Sequence, residues 1–120
     1  MTIRECYEKS GEDFNEVFER LLTEDRIIRF AVKFFETTEV SELENALKAE
    51  DAESAFRAAH TFKGNALSMG FLSLAQKVSD IVELLRPRPS VKPDLKTASE
   101  LFTGFKAEYE RVKGIFQELQ

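Results

Sequence analysis

The chain predicts an all-α fold, and three observations carry that expectation. Apolar residues recur at three-and-four spacing through most of the length, no stretch alternates for long enough to make a strand, and glycine is scarce, with 5 in 120 residues. A chain of this size fits one domain spanning 1–120 and buries about two thirds of its unfolded surface without help from disulfides or metal.

The first helical region is expected from about Thr2 to Glu8, and a second from Glu12, burying Phe14, Val17, Phe18, Leu21 and Leu22. Thr23 offers an N-cap, its hydroxyl able to accept from a free first-turn amide, for a third run carrying Ile27, Phe30, Ala31, Phe34 and Phe35. The phenylalanines from Phe14 to Phe35 read as core. Ser41 is placed to cap a short helix that buries Leu43, Ala46 and Leu47, and Asp51 to cap the helix from Ala52 to about Ser68. Gly70 can end that helix, because glycine takes the left-handed conformation at little cost. Leu72 to Leu85 forms the next helix. The segment Arg86-Pro87-Arg88-Pro89-Ser90-Val91-Lys92-Pro93 cannot be helical throughout and reads as a connector. A long final helix starts near Asp94, and its stripe of Ala98, Leu101, Phe102, Phe105, Tyr109, Val112, Phe116 and Leu119 marks one face for a bundle core.

Composition narrows the function. The chain is 42% apolar with 11 Phe and no Trp, and its formal net charge is -5, so disorder and a polyanionic partner are both disfavoured and nucleic-acid binding is not expected. Cys6, the single cysteine, has no internal disulfide partner and no neighbour at metal-ligand spacing, which fits a reducing, cytoplasmic setting. No apolar run approaches the roughly 18 residues of a membrane span, and Met1-Thr2-Ile3-Arg4-Glu5 carries acid where a signal peptide would be apolar, so neither export nor anchoring is expected. No Gly-rich phosphate loop, His-Cys cluster or Glu-x-x-His pair is present, which sets nucleotide binding and di-metal chemistry aside.

The candidate site centres on His60, the only histidine, within Ala58-Ala59-His60-Thr61-Phe62-Lys63-Gly64-Asn65-Ala66. At about 100° per residue, Ala52, Ala55, Ala59, Phe62, Ala66 and Met69 share one side of the helix, and His60 falls roughly 120° from their centre, on the solvent side. Phe56, Lys63, Gly64 and Leu67 surround it at helical spacing, with Glu53 and Arg57 at the margin. An accessible neutral imidazole keeps a free lone pair on one ring nitrogen and can attack phosphorus. Lys63, one turn away, can neutralise part of the charge on a transferring phosphoryl group. Glycine inside a helix costs about 1 kcal/mol relative to alanine, so Gly64 calls for a reason, and access of a partner's active site to the ring is one. The plain alternatives are a surface histidine, a lysine whose stem lies along the core, and a glycine kept for close helix packing. Thr61 and Asn65 fit ordinary polar surface as readily as contact, while Phe56 and Leu67 read either as the centre of a docking surface or as edges of the bundle core.

His60-Thr61-Phe62-Lys63-Gly64-Asn65-Ala66, followed by Met69-Gly70-Phe71 and Leu74-Ala75, closely resembles the signature of histidine-containing phosphotransfer (HPt) domains. The detailed resemblance covers about Leu43 to Leu85. It implies a four-helix bundle, here with additional short N-terminal helices, that accepts and donates a phosphoryl group on His60 in exchange with receiver-domain aspartates of a two-component phosphorelay. It implies Lys63 as charge stabiliser, Gly64 as steric access, and a receiver-docking surface of Phe56, Arg57, Thr61 and Leu67. On this reading the chain is a phosphocarrier rather than an enzyme and a monomer. It needs no cofactor or metal of its own, because the receiver supplies Mg²⁺ and the catalytic acids, and its partners are receiver domains of response regulators or hybrid kinases. Many relatives carry a glutamine or glutamate on the following helix that hydrogen-bonds the histidine ring; the matching position here is Val82, with Ser79, Gln76 and Glu83 as substitutes only if the helix is rotated. Two rivals stand beside this reading. One is the phosphoacceptor module of a chemotaxis-type kinase, which normally has a carboxylate at the Val82 position and kinase domains after it where this chain ends at Gln120, or of a hybrid histidine kinase, which would look the same in sequence. The other is a helical adaptor that binds receivers or other signalling proteins without carrying phosphate.

Overall fold

The computed structural model describes residues 1–119; Gln120, the last residue of the expected domain 1–120, lies outside them. Seven helices follow one another: α1 (Ile3–Ser10), α2 (Phe14–Leu21), α3 (Glu24–Phe35), α4 (Glu39–Lys48), α5 (Ala52–Ser68), α6 (Leu72–Leu85) and α7 (Leu95–Phe116). Among the described residues the only β-type pairing is an isolated bridge between Arg88 and Val91. The fold is all-α, as expected.

Side-chain oxygens start five of these helices. Thr2, Asp13, Thr23, Asp51 and Asp94 each accept from the amide three residues on, a contact worth about 1 kcal/mol at each helix start. At Thr2 the cap is reciprocal, with Glu5 accepting from the Thr2 amide.

The helices α4 to α7 close a four-helix bundle. α5 packs most extensively on α6 and α4, α6 on α7, and α7 returns to α4, where Lys106 Nζ lies 3.0 Å from Glu44. α1 rests on α7 and α3, and α2 pairs with α3, so the N-terminal helices lengthen the body to 46 × 23 × 20 Å. One buried cluster draws residues from all seven helices.

Several expectations are corrected. α1 runs Ile3–Ser10 rather than Thr2 to Glu8, because Gly11 supplies the left-handed stop at φ 81°, and α2 begins at Phe14 behind the Asp13 cap rather than at Glu12. Phe18, Leu22, Phe30 and Leu101 are not core: they are 37%, 63%, 46% and 40% exposed, since no other element covers that side of their helices. Leu21, Phe35 and Leu119 are only partly buried, and Leu119 lies past the end of α7. Ser41 caps nothing. α4 starts at Glu39, whose amide is taken by the Thr37 hydroxyl, while Thr38 donates to Glu42.

The end of α5 receives the most support. Gly70 sits at φ +70°, and a Cβ there would meet the Asp13 carbonyl oxygen at 2.7 Å, so both backbone conformation and space demand glycine. The Tyr7 hydroxyl donates to the Met69 carbonyl at 2.7 Å, the Asp13 amide to the Gly70 carbonyl, and the Arg20 guanidinium to the Leu67 and Ser68 carbonyls. Beneath them Tyr7 stacks on Phe71 and meets Phe14 and Phe116 edge-on. The N-terminal helices thereby fix the turn that aims α5 into the bundle.

Candidate functional site

His60 is exposed on α5, eight residues in from either end of the helix. Ala55, Ala58, Ala59, Phe62, Ala66 and Met69 are buried on the opposite side, so the helix is anchored by one face and offers the other. Ala52 is only half-buried. Among the described residues the imidazole makes no side-chain hydrogen bond; its neighbour is the Phe56 ring, stacked at 5.5 Å between centroids with 29° between planes. That i,i+4 spacing is what one helical turn delivers.

The flank toward α6 is cationic. Arg86 lies with its guanidinium carbon 5.5 Å from the centroid of the Phe56 ring and forks onto Glu83, Nε to Oε2 at 3.1 Å and Nη2 to Oε1 at 2.9 Å. Arg88 adds a third bond to the same carboxylate at 3.1 Å. The Arg86 hydrogen bonds, with smaller contributions from Arg88 and Lys63, hold the Glu83 carboxyl below its usual range. Lys63 is half-buried and pairs with no carboxylate within 4.0 Å among the described residues. Arg86 and Arg88 share the Glu83 carboxylate, and Lys63 adds its charge nearby, in a chain of net charge -5.

The flank toward α4 is polar and self-paired. Arg57 binds Glu53 at 3.2 Å and Ser54 at 3.4 Å, Thr61 and Arg57 line a groove shared with Glu39, Glu42 and Asn45, and Asn65 reaches Glu39. Along the stripe beyond His60, Gly64 is exposed and a Cβ there would meet nothing within 4 Å. Helix packing therefore does not require it. Leu67, 43% exposed, continues the stripe to the end of the helix. The expected site residues thus divide: Phe56 and Lys63 face α6, Arg57 and Thr61 face α4, and His60, Gly64 and Leu67 run between them.

Val82 is fully buried in the core and offers the imidazole nothing. Glu83, weighed as a substitute, is committed to two arginines. Sequence reasoning missed Arg86, which it placed in the connector. The signal available was its spacing of three from Glu83 across the end of α6; the contact with the Phe56 ring, on another helix, left no local trace. Among the described residues, no three His, Cys, Asp or Glu side chains gather as metal ligands, and no helix is long and apolar enough to cross a membrane.

A family model described as the Hpt domain matches residues 34–115. The chain belongs to the Hpt domain family. The match covers the C-terminal part of α3, all of α4 to α6 and nearly all of α7, and it leaves α1 and α2 outside. Neither a curated protein nor a solved structure matches the chain. Membership implies phosphotransfer in two-component signalling, by a module that carries a phosphoryl group rather than acting as a conventional enzyme, and exchange with receiver domains or kinases. The helical bundle described above is the fold expected of an Hpt domain.

Proposed function

We propose that this Hpt domain carries a phosphoryl group on His60 and exchanges it with the aspartate of a receiver domain. The observation that carries the reading is the exposed imidazole at the midpoint of α5, free of protein hydrogen bonds among the described residues, beside an open Gly64 and an unpaired Lys63. In the forward step a ring nitrogen's lone pair forms the P–N bond while the P–O bond of the aspartyl phosphate breaks. The carboxylate leaves with the electron pair, and the proton on the other ring nitrogen passes to solvent; the reverse step retraces this path. Lys63 offsets charge on the phosphoryl oxygens, and the bare Gly64 backbone lets the partner close over the ring. The receiver brings Mg²⁺ and its own carboxylates, to which the cationic α6 flank is complementary. Arg57, Thr61 and Leu67 contribute the surrounding contact, and Phe56 borders the imidazole itself. The whole chain acts as one monomeric unit in the cytoplasm.

The test is incubation with a phosphorylated receiver and Mg²⁺, comparing wild type with His60→Gln. Wild type is expected to take up an acid-labile, alkali-stable label and the variant none. Binding of receivers by wild type without transfer would sink the carrier reading and support a helical adaptor.

A further inference from the structure

We infer that Phe56, Arg86 and Glu83 together set the plane of the His60 ring, doing by stacking what a hydrogen-bonding side chain at the Val82 position would do. The inference deepens the phosphocarrier reading and rests on it for the reaction readout alone. Val82 is buried and apolar, and the imidazole has no hydrogen-bonding side chain among the described residues, so what borders it is the Phe56 face at 5.5 Å and 29°. Phe56 can restrain its neighbour because it is itself restrained. It is half-buried and packed against the core, and the Arg86 guanidinium lies against its ring, attracted by the negative π face. Arg86 is locked in turn by two parallel bonds to Glu83, a planar fork with little remaining freedom. The carboxylate that follows Val82 directly is therefore spent on the arginine that holds the aromatic ring. Stacking fixes a plane and leaves both ring nitrogens to the partner and solvent, whereas a hydrogen bond would occupy one of them. Phe56, Arg86 and Glu83 are thus positioning residues.

The experiment reads the ring directly. In nuclear magnetic resonance spectra of the whole chain, the two carbon-bound ring protons of His60 should carry the ring-current shift of Phe56. Phe56→Leu should return them to free-histidine positions, Arg86→Gln should move them part of the way, and Phe56→Tyr should restore them. With a phosphorylated receiver as donor, Phe56→Leu should lower kcat about tenfold or more while KM changes less than about twofold, and Phe56→Tyr should recover the loss. Unchanged ring resonances in Phe56→Leu would overturn the inference. A raised KM at constant kcat would also overturn it, marking Phe56 as a docking contact. If wild type accepts no phosphoryl group, the phosphocarrier reading fails, while the ring resonances still decide the positioning role.

Discussion

Gly64 and Gly70 flank the end of α5 and are glycine for opposite reasons. Gly70 is demanded by the fold, through its positive φ and the Asp13 carbonyl against it, whereas nothing in the fold touches Gly64. Replacing Gly64 by alanine should therefore stabilise the free domain by about 0.5–1 kcal/mol in urea denaturation while slowing transfer from a receiver. Gly104, on α7 and equally open, serves as the control: Gly104→Ala should give a similar gain with transfer unaltered. A loss of stability in Gly64→Ala would show that the helix needs the glycine after all. Glu12 makes the second case at this scale. Its Oε1 accepts from Ser73, its Oε2 is buried with no partner among the described residues, and burial, opposed by the Ser73 hydrogen bonds, raises its pKa; Glu108 adds to the rise and Arg111 offsets part of it. A carboxyl whose folded pKa is raised contributes stability at low pH and loses it as pH climbs through the folded value. Glu12→Gln should therefore raise Tm at pH 7, with a gain that shrinks as pH falls toward 4. A gain independent of pH would refute the assignment to charge burial.

At the scale of elements, α5 depends on a helix that the family match does not include. Arg20 on α2 donates to the Leu67 carbonyl, which also accepts from the Gly70 amide, and to the Ser68 carbonyl in the last helical turn. Arg20→Ala should cost about 1 kcal/mol and should speed amide exchange around Met69 and Gly70 before it affects α7. Uniform acceleration would instead indicate global loosening. What was legible in the sequence follows the same division between local and distant. Thr23 and Asp51 are readable as caps because a cap is a contact across three residues. Ser41 is not a cap because α4 starts three residues before a Ser41 cap would place it, at Glu39, whose amide the Thr37 hydroxyl takes. Periodicity placed His60, Lys63, Gly64 and Leu67 on one stripe because they share a helix. It could not reveal that no element covers Phe18, Leu22 or Phe30, nor that Arg86, just past the end of α6, would meet Phe56 from α5, since both depend on how separate helices approach.

At the scale of the whole molecule, residues 1–33 lie outside the matched segment, yet Ile3, Cys6, Tyr7, Phe14, Val17, Ile27 and Ala31 are buried in the common core. A variant starting at Thr23 would strip Tyr7 from Phe71 and Phe116. It should keep helical far-ultraviolet dichroism but lose its sharp thermal transition and bind a hydrophobic dye; a sharp transition near the wild-type Tm would show α1 and α2 to be dispensable. On the proposed function the molecule also offers its chemistry in one place only. With a single histidine, on the exposed face of one helix in a body 46 Å long and about 20 Å thick, donor and recipient must claim the same footprint. They cannot be held side by side, so each exchange finishes and its partner departs before the next begins. The kinetics are then ping-pong, and an idle recipient blocks the donor by occupying the landing site. Signal throughput in such a carrier is governed by how fast partners leave as much as by how fast phosphorus moves.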